Sequence, residues 1–317
     1  MSKGRNYKGI EIFRVVAAFL VIAIHPSPLT TYSQTADFIF TRVIARVAVP
    51  FFFMVTGFFV LSKGTDVRRF LKKTAIIYAA SAALYLPINV YAGHLQSWDM
   101  IDLVQQVFFE GTFYHLWYLP AAILGAWLTW KLMRRLSSGA CLAAVAVLYL
   151  LGLLGDSYWG LVENVPVICS VYNALFALMG YTRGGLFFAP IFMWLGAQLR
   201  YAKPRGTGFE IAGLIVSFAL MLAEALNARA QGWQRHDSMY VLLPAVMYFL
   251  FALLSRWKGT VKMPLGSFSL LVYILHPAVI IVVRGAARVL GLWDIFVENS
   301  LGHHIAVCLG SAAASAV

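Results

Sequence analysis

Apolar runs long enough to cross a bilayer recur along the whole chain. They lie near residues 10–26, 38–61, 74–91, 116–130, 140–155, 184–200, 209–226, 239–255, 267–283 and 303–317. A spanning helix needs about 17–25 mostly apolar residues. Only 12% of the residues are charged, about half the share of an ordinary soluble domain. The sequence therefore predicts an all-α, polytopic membrane protein with about ten transmembrane helices, and it excludes a soluble enzyme.

The placement of charge predicts the orientation of these helices. Lys and Arg are concentrated in alternate connections, such as the stretch from Lys63 to Lys73, while most acids lie in the other connections. Cytoplasmic segments of membrane proteins carry the excess of Lys and Arg. Both termini are therefore expected to be cytoplasmic. The same bias explains the net charge of +12, so no nucleic-acid partner is expected.

Two ionisable residues, Arg14 and His25, lie in the first predicted span. Their separation of eleven residues is three helical turns plus about 20°, which puts both on one face about 16 Å apart. Ionisable residues inside a span are functional-site candidates. The stripe joins an anion-binding group to a proton-transfer group. Alternatively, Arg14 pairs with Glu11 at the interface and His25 only hydrogen-bonds to a loop.

A second pair, Arg42 and Arg46, lies one turn apart in the second predicted span. Two arginines facing lipid would be very costly, so both side chains are expected to face the protein interior. There they could bind a carboxylate or an oxyanion. The alternative is an ion pair with Glu224, the deep acid of the seventh predicted span.

A further group of polar and aromatic residues is predicted near the outer ends of the spans. Its members are His115, Trp117, Tyr118, Asp156, Arg183, His236, Asp237, Tyr240 and His276. They could line a cavity that binds an acceptor. The alternatives are an interfacial aromatic belt, a solvated His–Asp pair and a helix cap. Apart from the terminal pair His303–His304, no two histidines approach the spacing of metal ligands, so no metal is expected.

Several motifs occur in a characteristic order. They are Arg14 and His25 at their spacing, the aromatic PFFFMVTGFF of residues 50–59 with the basic stretch that follows, and FSLLVYILHP of residues 268–277. Together they resemble the acyltransferase-3 family of ten-helix membrane acyltransferases. These features extend over most of the chain.

Four other motifs are GTFYHLWYLPA (111–121), GDSYWGL (155–161), TRGGLFFAP (182–190) and HDSMYVLLP (236–244). They resemble the membrane half of the VanT-type membrane-bound serine racemases of glycopeptide-resistant bacteria. The resemblance implies a multi-pass protein of the bacterial plasma membrane.

The family resemblance implies acyl transfer from cytoplasmic acyl-CoA, such as acetyl-CoA, to a hydroxyl acceptor at the outer face. The acceptor would be a cell-envelope component or a small compound such as serine, and no permanently bound cofactor is implied. His25 would be catalytic and Arg14 would bind the donor. Family members often carry two arginines three residues apart in the first inner loop, where this chain has Arg69 and Lys72. The donor-binding candidates there are Arg68, Arg69, Lys72 and Lys73, whose alternative role is topology signalling.

The likeness to the VanT-type proteins implies an alternative function. The membrane domain would bind or transport serine for a fused cytoplasmic racemase in vancomycin resistance, and Arg42 or Arg46 would hold the serine carboxylate. The last predicted span ends without the basic residues that follow the other inward-going helices. We therefore expect residues 1–317 to form a single transmembrane domain that precedes a cytoplasmic C-terminal domain in a longer polypeptide.

Overall fold

All regular secondary structure in the described part of the chain is helical. The structure is a computed structural model that describes residues 7–64, 66–93 and 99–316. Its α-helices in these ranges are α1 (Lys8–Ile24), α2 (Gln34–Arg42), α3 (Ala48–Thr56), α4 (Val67–Tyr91), α5 (Met100–Gln105), α6 (Tyr118–Arg135), α7 (Ser138–Leu154), α8 (Pro166–Met179), α9 (Ala189–Leu199), α10 (Thr207–Ala230), α11 (Leu243–Arg256), α12 (Leu265–Leu290) and α13 (Ser300–Ser315). Each of the ten predicted apolar segments contains part of at least one of them. The all-α prediction is confirmed.

Within the described ranges, four helical segments are long and apolar enough to cross a membrane. They are Gln34–Leu61, Val67–Tyr91, Thr207–Ala230 and Leu265–Leu290. Shorter apolar helices include α7, α8, α9 and α11. Of these, α8 lies in residues 156–183, a stretch for which hydropathy predicts no span. The total of ten spans and the cytoplasmic location of both termini stay predictions.

The second predicted span is not one continuous α-helix. It consists of α2, a 3₁₀ turn at Ile44–Val47, α3 and a π turn at Gly57–Leu61. Val43, with φ −121° and ψ −62°, breaks the helix between Arg42 and Arg46. Arg42 and Arg46 therefore lie on either side of this break, in α2 and in the 3₁₀ turn, and not on one continuous α-helix. Hydropathy reports composition and does not detect such a change of backbone conformation.

Residues 68–73 of the first basic stretch belong to a helix and not to a loop. This helix, α4, begins at Val67, well before the predicted start at residue 74. Four cationic side chains therefore occupy the first two turns of this helix, and all are exposed: Arg68, Arg69, Lys72 and Lys73. The expectation that they lie in an inner loop is corrected to the N-terminal end of α4.

The chain divides into two compact units, of which the first comprises Met1–Phe52, Pro204–Leu214 and Phe249–Val317. Within this unit α1 and α13 both pack against α12. The apolar cluster between these helices contains Ala18, Ile22, Val272, Ile280 and Val307. This packing fixes the face that α1 presents to its neighbours.

The second unit comprises Phe53–Lys203 and Ile215–Tyr248. In it, α9 packs closely on the segment around the π turn. A Cβ atom on Gly57 would lie 1.9 Å from the Met193 carbonyl oxygen, and one on Gly196 would lie 2.1 Å from the Met54 carbonyl oxygen. Small residues allow membrane helices to bring their backbones this close. Both glycines are therefore required by the packing of these helices.

We expect Gly196→Ala to lower the free energy of unfolding by about 1–3 kcal/mol, because the added methyl group overpacks the interface. Thermal unfolding of the purified protein in detergent measures the effect. Gly139→Ala is the matched control, since nothing lies within 4 Å of a Cβ atom there. Equal melting temperatures for the two variants would contradict this account of the packing.

Candidate functional site

Arg14 and His25 lie along the middle of the buried face of α1. The helix ends at Ile24, and His25 keeps helical dihedral angles as its C-cap. Successive residues of an α-helix are rotated by 100° about its axis. The buried residues Ile10, Ala17, Ala18 and Val21 lie within about 60° of the line that joins Arg14 and His25 on this helix. Val16 points the opposite way and is 43% exposed. The stripe therefore follows the packed face of the helix.

The imidazole rings of His25 and His276 stack on each other within the first unit. Their centroids are 5.1 Å apart, and the ring planes are inclined by 28°. His276 is completely buried in α12. Both histidines were predicted from the sequence as site residues, but their contact with each other was not predicted.

The helix backbone fixes the orientation of His276. Pro277 has no N–H group, so it cannot donate to the carbonyl oxygen of Tyr273 one turn earlier. Nδ1 of His276 lies 2.8 Å from that oxygen and 3.2 Å from the carbonyl oxygen of Val272. Because carbonyl oxygens only accept hydrogen bonds, Nδ1 of His276 carries a proton.

The backbone just after His25 is strained. Ser27 has φ +47° and is the only non-glycine residue with a positive φ in the described ranges. Such a conformation costs about 1–3 kcal/mol and persists only where the surroundings hold it. The Ser27 amide donates to the Ala23 carbonyl oxygen at 3.2 Å, and Ser300 Oγ donates to the Pro28 carbonyl oxygen at 2.8 Å. The N-terminus of α13 thus supports the segment that follows the histidine.

Arg14 forms a local ion pair. Its Nε donates to Glu11 Oε1 at 3.2 Å, and the two side chains are 20% and 33% exposed. This is the contact expected in the alternative, structural interpretation of Arg14. Partly exposed ion pairs of this kind contribute little stability. A guanidinium group has five N–H donors, so the pair is compatible with binding of a further anion.

The basic residues at the start of α4 are not stabilised electrostatically by the helix that carries them. The N-terminal end of a helix is partially positive and favours anions over cations. The positions of Arg68, Arg69, Lys72 and Lys73 in the first two turns of α4 are therefore not explained by helix stability. Topology signalling and anion binding both account for them.

The second arginine pair has unequal exposure. Arg46 is 9% exposed, whereas Arg42, the last residue of α2, is partly buried. The low exposure of Arg46 agrees with the expectation that this arginine faces the protein interior.

Glu224 accepts three hydrogen bonds inside the second unit. The Tyr158 hydroxyl donates at 2.8 Å, the Val241 amide at 2.6 Å and the Leu242 amide at 3.1 Å. Burial raises the pKa of Tyr158, and the hydrogen bond to the Glu224 carboxylate raises it further, so this phenol stays a neutral donor. The carboxylate thus fixes the start of α11 to α10.

Arg183, His236 and Trp117 form a second cluster. Nη1 of Arg183 lies 2.8 Å from Nε2 of His236, and the guanidinium lies 5.1 Å from the centre of the Trp117 ring. Arginine is always protonated, so it donates and Nε2 accepts. The proton of the neutral imidazole is therefore on Nδ1, which lies 2.7 Å from Ser238 Oγ.

Two carboxylates face the same histidine. Nδ1 of His236 is 3.7 Å from Asp156 Oδ2 and 3.9 Å from Asp237 Oδ1. Asp156 Oδ1 also accepts from the backbone amides of Ser238 at 2.7 Å and Met239 at 2.9 Å. Asp156 thus fixes the loop that carries the histidine. The structure brings Trp117, His236 and Asp237 together through Arg183.

The remaining sequence candidates are packed among other rings. His115 is 2% exposed, with the ring of Tyr85 at 5.0 Å. Tyr118 lies 5.1 Å from the ring of Phe53. Tyr240 is fully buried, and its carbonyl oxygen accepts from the Tyr149 hydroxyl at 2.7 Å. These surroundings are typical of core positions.

We expect Glu224→Gln to lower the free energy of unfolding by about 1 kcal/mol, because an NH₂ group would replace one oxygen that accepts from these partly buried donors. Thermal unfolding in detergent measures the change. Glu163→Gln is the control, since Glu163 is exposed. An unchanged melting temperature for Glu224→Gln would show that these hydrogen bonds do not hold α10 and α11 together.

Comparisons with known proteins match the chain over almost its full length. An amino-acid racemase of Enterococcus faecalis is 42% identical in an alignment 318 positions long, which covers 98% of this chain and 45% of that protein. A second amino-acid racemase of the same species is 36% identical over 96% of this chain and 44% of that protein. A serine/alanine racemase of Enterococcus gallinarum is 38% identical over 85% of this chain and 40% of that protein.

The chain thus spans less than half the length of these curated relatives. No solved structure matches it. A family profile described as an acyltransferase domain matches residues 7–317. With its long apolar helices, the chain belongs to the acyltransferase-3 family of membrane proteins.

Proposed function

We propose that the chain is a membrane acyltransferase that moves an acyl group from cytoplasmic acyl-CoA to a hydroxyl acceptor at the outer face. The observation that carries this proposal is the His25–His276 stack on the face of α1 that also bears Arg14. A proton-transfer group and a cation thus share one packed surface in a chain that belongs to the acyltransferase-3 family.

His25 is the proposed general base. A neutral imidazole takes the proton of the acceptor hydroxyl while that oxygen attacks the thioester carbonyl, and the CoA thiolate leaves. His25 could instead accept the acyl group itself and pass it on. His276 is a positioning residue in either route, because its ring is fixed by the Tyr273 carbonyl oxygen and stacks on the His25 ring at a centroid distance of 5.1 Å.

The donor phosphates are assigned to cations near the proposed cytoplasmic side. Arg14 suits this role because its fork of donors matches phosphate oxygens and stays charged when desolvated. The exposed basic residues at the start of α4 would contribute a less specific attraction. Arg42 and Arg46 are proposed to hold an anionic group of the acceptor.

His25→Ala is expected to reduce acyl transfer at least about 100-fold, because a positioned general base contributes 10²–10⁴-fold to such rates. The assay follows labelled acetyl groups from acetyl-CoA to hydroxyl compounds of the cell envelope in membrane vesicles. His304→Ala on α13 is the control and should retain transfer. Full transfer by a folded His25→Ala protein would refute the proposal.

The names of the relatives favour a second candidate function. They are racemases of amino acids, including serine and alanine, and more than half of each lies outside the matched region. The domain could therefore bind or transport serine for a racemase domain fused to it. Serine would then occupy the protein without any acyl donor.

Calorimetric titration of the purified protein with acetyl-CoA and, separately, with L-serine distinguishes the two functions. The acyltransferase proposal predicts binding of acetyl-CoA, and this binding should weaken by about tenfold in Arg14→Gln, since a hydrogen bond to a charged group contributes about 1.5–3 kcal/mol. Binding of L-serine alone would instead support the carrier.

A further inference from the structure

A cavity of about 320 Å³ lies within the second unit. Its walls combine aromatic rings, including Trp117 and Tyr181, with two charged side chains, Arg183 and Glu110. This volume is at the small end of the range for sites that bind small molecules, which are mostly apolar with a few placed polar groups. All its lining residues belong to the second unit, and neither His25 nor His276 is among them.

The cation of this cavity is held in place before any ligand arrives. The Arg183 guanidinium lies 4.4 Å from the centre of the Tyr181 ring and also over Trp117. Its Nη1 donates to His236, whose other ring nitrogen faces Ser238 and Asp156. A group fixed in this way loses little conformational entropy on binding, which is the advantage of preorganisation.

The carboxylate of the cavity is also fixed. Glu110 Oε1 accepts from Gln105 Nε2 at 3.1 Å, and Oε2 accepts from Gln106 Nε2 at 3.0 Å. Gly180, at φ +67°, lets the backbone approach, since a Cβ atom there would lie 1.4 Å from Oε1. The two charges of the cavity therefore come from separate, rigidly held groups.

We propose that this cavity binds a small monocarboxylate that also carries a hydrogen-bond donor, such as a hydroxyl or ammonium group. Arg183 would bind the carboxylate, Glu110 would accept from the donor, and the aromatic rings would contact the carbon skeleton. Phosphate and other polyanions are disfavoured because Glu110 balances the single cation. The inference rests on residues of the second unit alone and does not depend on acyl transfer.

Titration calorimetry on the purified full chain in detergent tests this specificity with four probes. Lactate should bind several-fold more tightly than acetate, which lacks the donor. Lactamide, which lacks the carboxylate, and inorganic phosphate should not bind measurably. The proposal is overturned if phosphate binds as tightly as lactate or if lactate gives no binding heat.

Arg183→Gln should weaken lactate binding by about tenfold or more, as expected for the loss of a charge-assisted hydrogen bond. Arg288→Gln is the matched control, because Arg288 is exposed in the last turn of α12. If Arg183→Gln does not fold, Arg183→Lys is the second variant. It keeps the positive charge but lacks the two parallel N–H donors of a guanidinium group, so it should weaken lactate binding several-fold. Wild-type affinity in a folded Arg183 variant would contradict the assignment.

His236 is a positioning residue in this proposal, and two variants separate that role from simple packing. His236→Gln keeps an oxygen that can accept from Arg183 and should bind lactate nearly as the wild type does. His236→Leu offers no acceptor and should bind about tenfold more weakly, with thermal unfolding reported for both. Equal affinities in the two variants would show that Arg183 does not need His236.

Glu110→Gln tests the balance of charge. Removing the negative charge should allow phosphate to bind, and it should reduce the preference for lactate over acetate. Unchanged exclusion of phosphate in this variant would refute the role of Glu110.

Discussion

The hydrocarbon interior of a membrane provides no hydrogen-bond partners, so polar groups carried by apolar helices must be satisfied within the protein. Glu224 meets this requirement by accepting from Tyr158 and two backbone amides. The buried Glu210 meets it through Arg256, whose Nη2 donates to Oε1 at 2.8 Å. The same requirement determines which nitrogen of His276 carries a proton, and so it fixes chemistry as well as stability.

The His–Pro dipeptide occurs twice in the first unit, once inside a helix and once just after a helix end. In α12, Pro277 lies within the helix, and the ring of His276 takes the carbonyl oxygen that the proline leaves without a backbone donor. In α1, the helix ends at Ile24, and the His25 amide donates to Ile22 at 3.0 Å before Pro26. In α12 the His–Pro pair orients the His276 ring inside the helix, and in α1 it places the His25 ring at the helix end. These two rings stack on each other.

Hydropathy predicted where the longer helices occur, because a run of apolar residues is a local property of the sequence. It did not predict the break at Val43 or the early start of α4, since these depend on backbone dihedral angles and on neighbouring helices. His25 and His276 were both selected as candidates, but their contact joins distant parts of the chain and depends on how α1 packs on α12. Tyr181 was not selected, although an aromatic residue two positions from Arg183 was a usable signal.

The two arginines with the clearest surroundings are held in different ways. Arg14 is paired with Glu11, a partly exposed carboxylate, so a phosphate group could replace that partner at little cost. Arg183 is held by a nitrogen acceptor of His236 and by the faces of the Trp117 and Tyr181 rings. The first arrangement suits a donor that binds and leaves in every cycle, and the second suits recognition of one anionic group. The difference follows from the partner: an anion that binds Arg14 competes with a carboxylate, whereas the imidazole and the aromatic rings around Arg183 can stay in place.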